Sequence, residues 1–233
     1  MRIDNLQVIY EDNHLIAVNK LPGDLVHADE SGDVTLEAKV KQYIKIRYKK
    51  PGDVYLGVLH RLDRPVSGTI VFARTSKAAE RMTNMIQNNE VIKTYYAISK
   101  NRPEEIRGHL EHWMIKNSDS NTSKAYDHEK TGSRLAVLDY ELAGDLHGNV
   151  LIRVKPLTGR PHQIRVQLMK IGCVINGDLK YGCAFANPDK SISLHSYSSS
   201  FIHPVTKESI LIKSEFPYNR LWDDWRKVVE QVE

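Results

Sequence analysis

His60-Arg61-Leu62-Asp63-Arg64-Pro65-Val66-Ser67-Gly68 runs directly into Thr69-Ile70-Val71-Phe72-Ala73. The first stretch is charged and polar, punctuated by Pro65 and Gly68. The second is a short β-branched and apolar run, the pattern of a buried strand. Their junction predicts a loop that ends where a strand begins, with Asp63 held firmly just ahead of it. Much later in the chain, Thr158-Gly159-Arg160-Pro161-His162-Gln163-Ile164-Arg165 has the same character. Gly159 marks a turn. Pro161, whose fixed φ and missing amide suit a first helical turn, predicts a helix that starts there, with Ile164, Leu168 and Ile171 on one buried face. Arg165 falls one turn into that helix. Loops held by rigid elements are where sites tend to be built, so these two segments are where chemistry is sought first.

Outward from them, apolar alternation at 6–10 and 15–18, separated by Glu11-Asp12-Asn13-His14, predicts an opening β-hairpin. A helix is expected over 35–47, where Leu36, Val40, Tyr43, Ile44 and Arg47 recur at helical spacing. Ser76 is expected to cap a second helix reaching Asn88. Strand patterns follow at 94–98, 109–115, 134–142, 150–154, 191–195 and 209–212, and an amphipathic helix at 221–232 closes the chain. Helices are interspersed irregularly among many strands, without strict βαβ alternation. That order predicts an α+β fold with a mixed, largely antiparallel sheet flanked by helices. No repeat, low-complexity tract or Pro/Gly/Ser-rich linker interrupts the chain, so one domain over residues 1–233 is expected.

The 233 residues are 41% hydrophobic and 27% charged, enough for a substantial core. A net charge of +4 leans mildly toward an anionic partner. Its local arrangement matters more: Lys45, Arg47, Lys49 and Lys50 cluster at the end of the first predicted helix, and Arg153 and Lys155 lie on a predicted strand. These are expected phosphate contacts, although lysines at a helix end also complement its dipole. Cys173 and Cys183 are too few for a disulfide framework and lack zinc-ligand spacing, which fits a reducing compartment. Neither a signal-peptide pattern nor a bilayer-length apolar run occurs, so a cytoplasmic protein without membrane attachment is expected.

Asp63 between Arg61 and Arg64 has the setting of an ionised carboxylate, a good anion and nucleophile and a poor proton donor. A carboxylate that only satisfies nearby amides or arginines is the plainer reading. Likewise His60 and His162 read singly as buried hydrogen-bonding histidines, Tyr95 as a strand residue packed on a sheet, and Arg165 as a surface helix arginine.

Taken together the segments say more. HRLDRPVSGTIVFART resembles the catalytic motif of the RluA-type family of RNA pseudouridine synthases, in which HRLD is followed by a variable pair, then SG and an apolar strand. TGRPHQIR resembles that family's later arginine motif. YEDNHLIAVNKLPGDLVH resembles its opening motif, KTYYAI its tyrosine-bearing strand, and NGDLKYG with LHSYSSSFIHPVT its C-terminal segments. Five ordered matches span residues 8–216. Pro65-Val66 stands where many members have Asp-Thr, a departure that touches only the loop beyond the aspartate.

The resemblance implies a pseudouridine-synthase-like domain with a central RNA-binding cleft. It implies Asp63 as the catalytic aspartate, Arg165 as its paired arginine, Tyr95 as the tyrosine that stacks on uracil, and Ile164 as the apolar wall of the base pocket. Arg61 matches the arginine that fills the gap left by the flipped nucleotide in the member that names the family. His60, Arg64, Arg160, His162 and Gln163 belong to the same two motifs and are expected to contact substrate. Because the opening motif starts near residue 8, the expected form is minimal, without the N-terminal S4 RNA-binding domain of many relatives.

The implied reaction breaks the N1–C1′ bond of uridine, turns the uracil and forms a C5–C1′ bond. No atom enters or leaves and nothing is oxidised, so no cofactor and no metal are expected, in keeping with the lack of GxGxxG and GxxxxGK[ST] sequences. An anionic oxygen near the ribose is required, either to add to C1′ or to remove a sugar proton. The expected partner is a ribosomal RNA or tRNA stem-loop, and the expected state is a monomer. An RNA-binding protein that kept the scaffold without turnover is the main alternative. A kinase is excluded because VAIK and DFG are lacking, and a zinc deaminase because HxE with PCxxC is absent.

Overall fold

The computed structural model describes residues 6–28 and 32–232. In chain order the elements are β1 (Gln7–Glu11), β2 (Leu15–Lys20), α1 (Leu36–Arg47), β3 (Gly57–Val58), β4 (Ser67–Ala73), α2 (Ser76–Gln87), β5 (Ile92–Ser99), β6 (Arg107–Asn117), β7 (Thr122–Tyr126), β8 (Arg134–Leu146), β9 (Asn149–Pro156), α3 (Gln163–Lys170), a short 3-10 turn (Leu179–Tyr181), β10 (Leu194–Ile202), β11 (Ser209–Lys213) and α4 (Arg220–Val232). Contacts divide the chain into two compact units, one formed by residues 1–92 and 196–215, the other by 93–195 and 216–233.

In the first unit β2 and β4 are buried along their whole length. They pair antiparallel, Ile16 opposite Phe72 and Ala17 opposite Val71. Since side chains alternate between the faces of a strand, one sequence serves two cores. Ile16, Val18, Ile70 and Phe72 meet Leu36, Val40 and Ile44 of α1. Leu15, Ala17, Val71 and Ala73 meet Ala78 and Met82 of α2, together with Phe201 and Ile212. Coverage on both faces is why these strands read as continuous apolar runs. Gly68 has φ +116°, and a Cβ there would lie 2.2 Å from the Ser196 carbonyl oxygen, so only glycine admits this approach of β4 to β10.

The second unit carries an antiparallel sheet in the order β5-β9-β8-β6-β7. Met114 and Ala136 of this sheet pack against Val166 of α3 and Tyr181. At the C-terminal end Phe216 stacks on Trp222 at 4.9 Å between ring centroids.

The α+β class with a largely antiparallel sheet is as expected, and five details differ. Thr75, not Ser76, caps α2, its side chain accepting the Ala78 amide at 3.2 Å. Helix α3 begins at Gln163 rather than Pro161, because His162 is left-handed at φ 56°. That helix is buried all round from Gln163 to Leu168, so it has no single apolar face, and Ile171 lies past its end as the cap. Strand β7 was not foreseen, because Thr-Ser-Lys-Ala-Tyr carries no strand pattern of its own and is held by its register with β6, Ile115 opposite Lys124. The expected strand at 191–195 begins only at Leu194 and runs on to Ile202.

Candidate active site

The loop between β3 and β4 carries the HRLDRP residues. Arg61 and Arg64 are exposed, and Asp63 is partly buried. The loop is fastened from within by a residue that the motif reading passed over. Lys20, the last residue of β2, is fully buried, and its ammonium donates to the carbonyl oxygens of Leu21 at 3.0 Å, Arg64 at 3.0 Å and Val66 at 2.6 Å. Three donors meet three acceptors, the satisfied arrangement for an ammonium taken out of water. Burial nevertheless pulls the Lys20 pKa down to about 7, against the attraction of Asp24 and Asp63. The Val66 amide donates to the Asp63 carbonyl at 3.0 Å, and the Gly23 amide to that of Arg64 at 2.8 Å. His60 accepts the Val71 amide on Nε2 at 3.1 Å, pinning the start of the loop to β4. Arg64 forms an ion pair with Asp33 at 2.5 Å. The Asp63 backbone is therefore held on both sides. His60 and Arg64 have scaffold contacts here in addition to the substrate contacts expected of them.

The second set of expected residues lies in the other unit. Tyr95 is 7% exposed on β5, opposite Val154 of β9. Gln163 knits the 158–163 segment to β8: its Nε2 donates to the Val137 carbonyl at 2.9 Å, and its Oε1 accepts Thr158 Oγ1 at 2.7 Å and the Arg160 amide at 2.9 Å. Arg160 Nε donates to the Leu135 carbonyl at 2.8 Å. Ile164 is 7% exposed on α3.

Arg165 is gripped by Asp178. Nε donates to Oδ2 and Nη2 to Oδ1, each at 2.7 Å, with the two side chains 5% and 1% exposed. This fork-on-fork geometry fixes the plane of the guanidinium as well as its position. The Tyr181 ring lies 4.9 Å from the guanidinium carbon. The Tyr181 hydroxyl accepts the Ser123 amide at 2.8 Å and stands 2.6 Å from His162 Nδ1. Asp178, Tyr181, His162 and Arg165 thus form one supported group within the second unit. Neither Asp178 nor Tyr181 was singled out from the sequence; the signal available was their place in the NGDLKYG segment. Lys20 had a plainer one, a single charge ending an otherwise apolar strand.

The first unit offers an anion on a braced loop, and the second an aromatic ring on a buried strand and a guanidinium fixed in plane; no three His, Cys, Asp or Glu residues are grouped as a metal site among the described residues. The RNA pseudouridylate synthase family pattern matches residues 14–170. The ribosomal large subunit pseudouridine synthase C of Rickettsia prowazekii is 31% identical over 213 residues, which cover 91% of this chain and 68% of that protein. The tRNA pseudouridine synthase C of Vibrio parahaemolyticus is 29% identical, with 98% of this chain and 95% of that protein covered. In fold, the human RNA pseudouridylate synthase domain containing 4 superposes with a TM-score of 0.76 over 96% of this chain and 93% of that one, at 20% identity. With a family match that runs through the braced Asp63 loop and the helix of Arg165, this chain belongs to the RNA pseudouridylate synthases of the RluA type, enzymes that isomerise uridine to pseudouridine.

Proposed function

We propose that this enzyme acts on uridines in a structured RNA, a ribosomal RNA or a tRNA, with Asp63 as the catalytic carboxylate. The observation that carries the reading is the bracing of the Asp63 loop by Lys20, whose hydrogen bonds to the Arg64 and Val66 carbonyls hold the backbone on which the carboxylate stands. An anion that must meet C1′ or a sugar proton as the glycosidic bond breaks gains most from being placed beforehand. Tyr95 supplies a flat face for the flipped uracil, Ile164 an apolar wall, and Arg165 a fixed donor edge. Arg61, exposed on the same loop as Asp63, fills the vacancy in the RNA. His60, Arg64, Arg160, His162 and Gln163 shape the two loops around the substrate. The family match crosses from one compact unit into the other, which supports treating both as parts of one catalytic domain. We place the protein in the cytoplasm, as a monomer. None of its helices is long and apolar enough to cross a membrane, among the described residues.

The test is Asp63→Asn, which removes the anion and keeps the shape. Pseudouridine formation is expected to vanish while the melting temperature and RNA affinity stay near those of the parent. A well-folded Asp63→Asn protein with substantial turnover would overturn the assignment. Relatives named for ribosomal RNA and for tRNA are about equally similar, so mapping pseudouridine in cellular RNA with and without the enzyme decides between the two substrates.

A further inference from the structure

The end of α1 carries a charge concentration that the catalytic reading leaves unused. Residues 45–53 are all exposed, and they hold four cations, Lys45, Arg47, Lys49 and Lys50, and one carboxylate, Asp53. The whole chain has a net charge of only +4, so this knob holds most of the excess. Arg47 leans on Glu11 at 3.3 Å. Lys45, Lys49 and Lys50 have no side-chain partner among the described residues. Ile46, Tyr48 and Tyr55 lie in and beside the same surface, 53%, 42% and 49% exposed. Arg74 stacks over the Tyr48 ring at 4.4 Å, and the Tyr48 hydroxyl donates to Glu11 at 3.0 Å, so Tyr48 fastens the base of the knob to the rest of the first unit.

The backbone adds an independent observation. Helix α1 ends in a Schellman turn, the Lys50 amide donating to the Lys45 carbonyl at 3.0 Å and the Lys49 amide to that of Ile46 at 3.3 Å. The residue that must be left-handed in this turn is Lys49, at φ 49°. Glycine, or failing that asparagine, suits this position because a Cβ is penalised there. The same protein follows that preference elsewhere: α2 ends on Asn89 at φ 59° and α3 on Gly172 at φ 81°, with the same hydrogen-bond pattern. Complementing the helix dipole does not account for Lys49, because Lys45 and Arg47 already occupy the last turn and Lys49 lies beyond it. At this helix end a lysine stands where glycine or asparagine would cost less, which points to a use for its charge outside the fold; Lys190 and Lys207 are also left-handed, at φ 59° and 67°, but in turns away from helix ends.

We propose that the 45–50 knob is a docking surface for the phosphate backbone of the RNA substrate, remote from the reacting base. This rests on the RNA-substrate reading above and names where part of that RNA lies. Asp33, which pairs with Arg64 beside the Asp63 loop, precedes the first turn of α1, and the knob closes its last. A helix of 12 residues spans about 18 Å, or about five base-pair steps of a duplex. The knob therefore meets the arm that flanks the target, as a patch of point charges on sugar-phosphate and not as a reader of bases.

Two variants test this, Lys49→Gly alone and Lys45→Gln with Lys49→Gln and Lys50→Gln. Binding of an unmodified tRNA transcript and of a large-subunit rRNA fragment is measured at several salt concentrations, alongside melting temperature and pseudouridine yield. The triple variant is expected to bind at least tenfold more weakly and to lower the slope of log affinity against log salt by about two, with the loss in KM more than in kcat. Lys49→Gly is expected to melt at a higher temperature and yet bind RNA less tightly. Unchanged affinity and salt slope in the triple variant, or a stabilised Lys49→Gly protein that binds as the parent does, would overturn the docking surface. A parent enzyme that yields no pseudouridine in any RNA would instead overturn the substrate reading, and the salt slopes would still judge the knob.

Discussion

Arg165 and Asp178 are almost completely buried, and the two charges satisfy each other through two 2.7 Å hydrogen bonds. Removing one partner of such a pair strands the other in a medium that cannot solvate it, at about 3–5 kcal/mol. Arg165→Met and Asp178→Asn are each expected to lose about that much in urea unfolding. The double variant Arg165→Met with Asp178→Asn should lose less than the sum, because neither charge is left alone. Strict additivity would mean that the pair contributes nothing as a pair. For function the bidentate grip matters in a second way. With Nε and Nη2 held by Asp178, the guanidinium is fixed in orientation, which suits the oriented donor proposed for it more than a loose positive charge. The sequence pointed to Arg165 through a motif and implied Asp63 as its partner, while Asp178, which grips it within the second unit, comes from a segment where no single residue stood out. Lys20 was hidden for the same reason. A buried lysine is recognisable only when its three carbonyls are seen around it, and these come from Leu21, Arg64 and Val66.

At the scale of elements, the Ser67-Gly68 step decides how the Asp63 loop enters β4. Replacing Gly68 with alanine would add a Cβ 2.2 Å from a backbone oxygen of Ser196 at a φ of +116°, and backbone on both sides leaves nothing flexible to yield. Gly68→Ala is therefore expected to cost more than about 3 kcal/mol, seen as a large fall in melting temperature, with activity lost as the loop shifts. A Gly68→Ala protein within a few degrees of the parent would mean that β4 and β10 separate easily. Elements with strong intrinsic patterns were legible in the sequence. The runs of β2 and β4 and the spacing of Leu36, Val40 and Ile44 place their elements to within two residues at each end. Those without such patterns were not. Strand β7 borrows its conformation from β6, and the start of α3 is set by a left-handed His162 whose ring meets the Tyr181 hydroxyl, a contact made across 19 residues.

At the scale of the whole molecule, charge limits what this enzyme can hold. Sequence-independent affinity for RNA comes mainly from neutralised phosphates, and a net charge of +4 with its excess gathered at one knob gives few such contacts. A long featureless RNA should therefore be bound weakly, and selectivity has to come from shape. The target we propose is a stem-loop, whose paired arm presents a regular double row of phosphates and whose loop uridine costs little to unstack. On the reading proposed above, Arg61, exposed on the Asp63 loop, would then enter the vacated position. Two outcomes are expected. Pseudouridine formation on a folded hairpin should exceed that on the same sequence with its stem disrupted, and a compensatory variant that restores pairing with different bases should recover the rate. Arg61→Ala should slow turnover more than it weakens binding, because filling the vacancy stabilises the flipped state and not the encounter. The measurement is initial rate on the three RNAs at matched salt, with affinity determined in parallel. Equal rates on all three would sink recognition by shape and leave linear sequence as the determinant, while a compensatory RNA that binds normally but is not modified would place the specificity in the bases of the stem.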